Sequence, residues 1–186
     1  NRIRFHIPNL TARKIRVGFS TDLPLPPLTD PGTIIDGTTQ PGFGDNGDRS
    51  PKIILAGAFE NWDFPISALR IEGDNCQVLA LEIINFPNDG IDVLNADNVA
   101  IGQILGNVIG TNGSNDPGLG NEWSGISVRD NANSCNIGGP DPGQANVIAG
   151  NPIGVQVDGV NNCLIQHNAF FCNDFMGIEL LDGANY

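Results

Sequence analysis

Charge is scarce in this chain, and positive charge scarcer still. Only 16% of its 186 residues are charged, nine basic against 21 acidic, for a net charge of −12. Nucleic acid is therefore not an expected partner, because binding phosphates needs a basic footprint. No apolar run reaches the ~18 residues a membrane span requires, so no span is expected. There are two histidines, His6 and His167. No zinc-ligand spacing, nucleophile triad or glycine-rich phosphate loop stands in the chain. No secretory leader precedes Asn1, which reads as mid-strand, so the expectation is a segment processed or cut from something longer.

Glycine (24) and proline (13) are plentiful, and they punctuate a repeat. A phrase of small, apolar, polar and apolar residues recurs as ALRI at 68–71, GIDV at 90–93, GISV at 125–128, GVQV at 154–157 and GIEL at 177–180. Its starts are 22, 35, 29 and 23 residues apart. A second phrase follows each full copy: NCQV at 75–78, NVAI at 98–101, SCNI at 134–137 and NCLI at 162–165. A third is rich in asparagine: NVIG at 107–110, NVIAGN at 146–151 and HNAFFCN at 167–173. Self-similarity at this period marks a solenoid. Alternation with period two marks strands, and no stretch fits a helix of ten residues. Gly, Asn and Asp suit corners that visit positive φ. Three short strands per ~22 residues predict an all-β chain: a right-handed, single-stranded parallel β-helix of about six rungs.

The cysteines are read in the same register. The second phrases align Cys76, Val99, Cys135 and Cys163 in one inward column. This is either a buried apolar stack or, for Cys135 and Cys163 on adjacent rungs, a disulfide. Cys172 stands outside the column, and four cysteines allow three full pairings.

Charge is unevenly placed. Residues 1–16 hold Arg2, Arg4, Arg13, Lys14 and Arg16 and no acid; the rest carries four basic residues against 21 acidic ones. Residues 1–19 read as two strands joined by a turn at Asn9–Arg13, and 22–32 as a proline-rich edge. Residues 1–32 are accordingly assigned as a capping region, anion-binding or simply solvated, with the rungs occupying 33–186. The unfinished rung at LLDGANY predicts an open sheet edge inviting self-association, as part of a larger solenoid or an assembled fibre.

TIIDGTTQPGF at 33–43, preceded by LPPLTDPG, resembles the opening motif of a group of right-handed parallel β-helix repeat proteins of the pectate-lyase-like superfamily. PKIILAG at 51–57, LRIEGDNCQVLALEIINF at 69–86, GNVIGTN at 106–112 and the stretch at 138–151 extend the resemblance over almost the whole chain. It implies a secreted or cell-surface protein, without implying one activity. Polygalacturonase-like members carry Asn-Thr-Asp, Asp-Asp, Gly-His-Gly and Arg-Ile-Lys motifs, none of which is present. The Arg-x-Pro-x-x-Arg of pectate lyases is not matched by Arg49-Ser-Pro51-Lys52.

Candidate sites follow from the outward columns and the loops. Arg70, Asp92, Ser127, Gln156 and Glu179 form one outward column, and Glu72, Leu94, Arg129, Asp158 and Leu181 the next. Asp92, Arg129, Asp158 and Glu179 are thus the weak catalytic candidates for a polysaccharide lyase or hydrolase, which needs carboxylates some 6.5–9.5 Å apart, or a calcium cluster with a basic arginine. Trp62 and Trp123, both in loops, are candidate sugar-stacking platforms or simple plugs beneath their loops. Asp45 and Asp48 offer a sparse Ca2+ site, short of the six to eight oxygens calcium prefers; otherwise no cofactor is expected. Phe86, Phe170, Phe171 and Phe175 read as core. The functional expectation is a non-catalytic extracellular surface or matrix module binding carbohydrate or a partner through its loops, with an enzyme on an acidic glycan and a self-associating filament as alternatives.

Overall fold

A computed structural model describes residues 1–8, 13–18, 24–57, 66–94, 102–113, 118–130, 132 and 134–184. The chain runs in circuits. The first holds β1 (Arg2–Arg4) and β2 (Arg13–Val17); the second β3 (Ile34–Asp36), β4 (Ile53–Gly57) and β5 (Leu69–Ile71). The third holds β6 (Gln77–Leu79), β7 (Leu81–Ile84) and β8 (Ile91–Leu94); the fourth β9 (Gly102–Leu105), β10 (Val108–Ile109) and β11 (Ser124–Arg129). The fifth holds β12 (Cys135–Ile137), β13 (Val147–Ala149) and β14 (Ile153–Asp158); the sixth β15 (Leu164–Ile165), β16 (Ala169–Phe171) and β17 (Met176–Leu181). Successive strands visit three parallel sheets in rotation: β1-β3-β6-β9-β12-β15, then β2-β4-β7-β10-β13-β16, then β5-β8-β11-β14-β17. This all-β, parallel architecture fits a β-solenoid.

The repeated phrase is explained by what stacks on it. Leu69, Ile91, Ile126, Val155 and Ile178 form one inward column of the third sheet, and Ile71, Val93, Val128, Val157 and Leu180 the next. Leu55, Ile83, Ile109, Ile148 and Phe170 do the same in the second sheet. Fully burying each such side chain contributes about 1.5–3 kcal/mol. The small residue opening each phrase is a steric requirement. A Cβ on Gly125 would stand 2.7 Å from the Gly154 carbonyl oxygen, and one on Gly154 would stand 2.3 Å from that of Gly177.

Corners are built from left-handed residues, and Gly106, Gly150, His167 and Cys172 are each followed directly by asparagine. Ala80, Gly106, Gly138 and His167 turn the chain from the first sheet to the second at positive φ; Asn85, Gly110, Gly150 and Cys172 turn it from the second to the third. At the first of these corners Asn107 Oδ1 accepts the Leu81 N–H at 2.9 Å, Asn146 Oδ1 accepts the Asn107 N–H at 2.9 Å, and Asn168 Oδ1 accepts the Asn146 N–H at 3.1 Å. At the second, Asn121 Oδ1 accepts from Phe86 N at 3.1 Å, Asn151 Oδ1 from Asn121 N at 3.0 Å, and Asn173 Oδ1 from Asn151 N at 3.2 Å. These amides satisfy buried backbone groups that no strand reaches at the corner.

The TIIDGTTQ motif fastens the first circuit to the second. Asp36, fully buried, accepts Arg2 Nε at 2.9 Å and the Thr38 N–H at 3.1 Å. Burial alone would raise its pKa, but the hydrogen bonds from Thr38 and Arg2 outweigh it and hold the carboxyl below its usual range. Thr39 Oγ1 accepts the Phe5 N–H at 2.9 Å. Gln40 Oε1 accepts the Ile7 N–H at 3.0 Å while its Nε2 donates to the Ile7 carbonyl at 2.8 Å, so one side chain imitates a strand neighbour.

Four expectations need correction or placing. The second phrase of the fourth circuit is not NVAI. The strand is β9, where Ile104 stands opposite Val78 and Ile137, and Gly102 rather than Val99 stands opposite Cys135; Val99 lies outside the described residues. The two N-terminal strands are placed on different sheets: β1 hydrogen-bonds to β3 and β2 to β4, and Leu28 in the proline-rich stretch bridges to Ile71. Phe86 is buried core and Phe170 packs against the core, but Phe175 is 77% exposed, standing in the turn between β16 and β17. The turn expected at Asn9–Arg13 falls largely outside the described residues.

Candidate functional site

The outer face of the third sheet carries the longest run of outward polar side chains. In register, Arg70 stands opposite Asp92, Asp92 opposite Ser127, Ser127 opposite Gln156 and Gln156 opposite Glu179. In the neighbouring column Leu94 stands opposite Arg129, and Asp158 opposite Leu181. Period-two alternation fixes this, since every second residue of β8, β11, β14 and β17 must face out once its neighbours face in.

Asp92 and Arg129 meet. Arg129 reaches back one strand, and its Nε and Nη2 donate to Asp92 Oδ1 and Oδ2 at 3.0 and 2.8 Å. The fork leaves neither Asp92 oxygen without a guanidinium hydrogen. Arg129 Nη1 also donates to Asp130 Oδ2 at 2.7 Å. The bond to Asp92 makes the guanidinium still harder to deprotonate. Although outward by parity, Asp92 is only 3% exposed, and Leu94 and Ser127 are buried with it. Two other candidates are separate from this pair: Glu179 accepts from Gln156 Nε2 at 2.7 Å, and Asp158 is half-buried at the end of β14.

The residue that sequence reasoning missed is Asp89. It is buried where the second sheet passes to the third, and its Oδ1 accepts the Ser124 N–H at 3.0 Å. Burial pushes its carboxyl up to about 7; the nearby Asp92 charge adds to the rise, while the Ser124 N–H and Arg129 oppose it. The available signal was the position itself: Asp89 is the acid preceding a glycine that the repeat requires to be small.

Trp123 is 56% exposed and immediately precedes β11. Its backbone is pinned, the N–H donating to the Asn88 carbonyl at 3.3 Å and the carbonyl accepting from Ile153 N at 3.2 Å. The indole is therefore an apolar surface on a fixed mount, suited to stacking against a ring. Trp62, with Phe59 and Phe64, lies outside the described residues.

The remaining candidates are dispersed. Asp48 accepts from Lys52 Nζ at 2.6 Å and the Ser50 N–H at 2.9 Å, which hold its carboxyl far below its usual range; Asp45 opens the short 3-10 turn before it. Among the described residues no three His, Cys, Asp or Glu side chains gather as a metal site would require. Cys135 and Cys163 form a disulfide between neighbouring circuits, their Cα atoms 4.6 Å apart. Cys76 is free and buried, and burial raises its thiol pKa; Cys172 is free and exposed. His167 occupies a left-handed corner beside Asn168 of the first ladder. Asn112, which begins a glycosylation sequon, is exposed.

No family model matches the chain, and neither a curated protein nor a solved structure matches it significantly.

Proposed function

We propose that the chain is a right-handed, single-stranded parallel β-helix of the pectate-lyase-like kind, serving as a non-catalytic module of an extracellular surface or matrix. In this reading the solenoid is a rigid mount, and its loops bind carbohydrate or a protein partner around Trp123. Right-handedness follows the strong rule for parallel crossover connections. The observation that carries the reading is the state of Asp92. Both of its oxygens accept Arg129 hydrogens and it is 3% exposed, so Asp92 is not a free carboxylate of the kind glycosidic cleavage uses. Trp123 supplies the exposed aromatic surface that sugar recognition uses.

A second reading is kept by Asp89. A carboxyl pushed up to about 7 beside Asp92 has the proton affinity of a general acid, as a hydrolase of acidic glycans would need. One experiment separates the two: a glycan-array screen, with turnover on the bound polysaccharides followed by reducing ends and unsaturated uronates. Binding without turnover, lost in Trp123→Ala and retained in Asp92→Asn, is the expected result. Turnover abolished by Asp89→Asn or Asp92→Asn would overturn the display reading.

A further inference from the structure

One corner of the coil carries an open column of rings. Past the second asparagine ladder the fourth circuit reads Asn121-Glu122-Trp123 and the sixth Asn173-Asp174-Phe175, the same order of ladder asparagine, acid and aromatic. Between them the fifth reads Asn151-Pro152. Ile153 N donates to the Trp123 carbonyl at 3.2 Å and Phe175 N to the Pro152 carbonyl at 2.9 Å, so Trp123, Pro152 and Phe175 stand in line on successive circuits. The residues that follow them, Ser124, Ile153 and Met176, share one inward column, which turns the three before them outward. Trp123 has a circuit on either side, the third holding its N–H through Asn88 and the fifth its carbonyl, and is still 56% exposed. The openness belongs to the column.

Charge around the column selects what the rings can hold. Glu122 and Asp174 are exposed one residue before each aromatic, and they enter no ion pair among the described residues. After Arg70 the sequence holds a single arginine, Arg129, and no lysine. That guanidinium is already held by Asp92 and Asp130. A polyuronate would therefore meet repulsion at this corner with no cation to offset it. An uncharged sugar chain meets none: its ring faces stack on the aromatics, and its hydroxyls donate to the two carboxylates. An extended peptide fits less well. The Trp123 carbonyl and N–H, the Pro152 carbonyl and the Phe175 N–H are all bonded within the coil, so an added strand finds no ladder to extend.

Spacing sets the direction. Neighbouring circuits lie about 4.8 Å apart, so Trp123 and Phe175 are about 9.6 Å apart along the coil axis. An extended chain of pyranose rings advances by about one ring per circuit on that scale. Alternate rings then lie over the two aromatics, and the ring between them lies over Pro152. A chain laid along a strand instead would meet one aromatic only.

We infer that the Trp123–Pro152–Phe175 column is a binding track for an uncharged, extended polysaccharide lying along the solenoid axis, three sugar rings long, with Glu122 and Asp174 accepting its hydroxyls. The inference rests on the display reading above and gives its carbohydrate a charge class, a length and a direction. It also assigns ring binding to Phe175, which that reading does not use.

Isothermal titration calorimetry tests the track with neutral β-1,4-linked oligosaccharides of glucose, mannose and xylose, two to six rings long, against hexagalacturonate. On the unmodified chain a neutral series should bind, its affinity rising steeply from two rings to three and little thereafter, while hexagalacturonate should not bind. Trp123→Ala and Phe175→Ala should each weaken the neutral hexasaccharide about tenfold, the loss of one ring stack, with far-UV circular dichroism and melting unchanged. Phe175→Tyr, which keeps a ring, should bind as the unmodified chain does. A loss in Trp123→Ala with none in Phe175→Ala overturns the track but leaves Trp123 as a lone platform, so the display reading survives it. Affinity already complete at two rings overturns the axial span, and tighter binding of hexagalacturonate overturns the charge class. Silence from every oligosaccharide overturns the track, and a glycan array silent as well removes carbohydrate from the display reading too.

Discussion

Asp89 gives the molecule a pH dependence of definite sign. Its carboxyl is raised from 3.8 to about 7 in the folded chain, chiefly because burial disfavours the charged form. Between those values the folded state holds a proton the unfolded state has released. Stability must therefore fall as pH rises from about 4 to about 7, levelling off outside the window. A shift of about three units, at 1.36 kcal/mol each, corresponds to about 4 kcal/mol over the window. That is a large part of the stability of a typical domain.

The perturbation that isolates it is Asp89→Asn, which keeps an oxygen for the Ser124 N–H and cannot ionise. Urea denaturation of both proteins, at matched ionic strength from pH 4.5 to 8, gives the stability difference at each pH. Glu82 is also raised by burial and slopes the same way, against the pull of Lys14, but it is common to both proteins and cancels. Asp36, whose pKa is lowered, contributes stability that is present above its unfolded value of 3.8 and lost only at lower pH. The variant should match the wild type near pH 4 and exceed it by about 4 kcal/mol at pH 8. A difference flat with pH, or one favouring the wild type increasingly as pH rises, would refute the reasoning.

Three further outcomes follow from the stacking. Asn146→Ala removes the acceptor of the Asn107 N–H and the donor to the Ile104 carbonyl, both buried. At about 1–3 kcal/mol for each orphaned group, a loss of about 3 kcal/mol or more should appear in the urea midpoint. Gly125→Ala forces a Cβ against the Gly154 carbonyl and Ile148 and should cost about 1–3 kcal/mol, whereas Ala68→Gly, in the column's first place, should cost less than about 1 kcal/mol. The double replacement Cys135→Ser/Cys163→Ser opens a link spanning 28 residues and should lower stability by roughly 3–4 kcal/mol, with the same loss on reducing the unmodified chain.

Parity and the small residue made the third sheet legible from sequence. The register Arg70–Asp92–Ser127–Gln156–Glu179 is what alternation alone dictates, and the glycine column reflects a carbonyl that leaves no room for a Cβ. The first sheet was misphased in the fourth circuit because NVAI and GQIL both read as polar–apolar tetrads. What separates them is the distance to the corner. Val78 precedes Leu81 by three residues, Ile104 precedes Asn107 by three, and Ile165 precedes Asn168 by three. Counting back from the asparagine ladder would have placed the strand at 102–105. Alternation also says which way Asp92 points, but not what covers the face it points to. Its burial depends on neighbours distant in the chain, and so does the raised pKa of Asp89.

The ladders also bear on how this chain divides structure from function. Each circuit completes its neighbour's hydrogen bonds: Asn146 supplies Asn107, Asn168 supplies Asn146, and Gln40 supplies Ile7. Stability in such a stack is close to a sum over neighbouring pairs. A change in a loop that leaves the corner asparagine and the inward pair intact therefore disturbs no ladder. The intervals of 35 and 29 residues arise from insertions at 111–124 and 138–145, yet β8 still meets β11 in register across the first and β11 meets β14 across the second. Variation is confined to the rim by the same hydrogen bonds that hold the coil. The rim, with Trp123 at the foot of the longer insertion, is where binding specificity can change without unstacking the sheets.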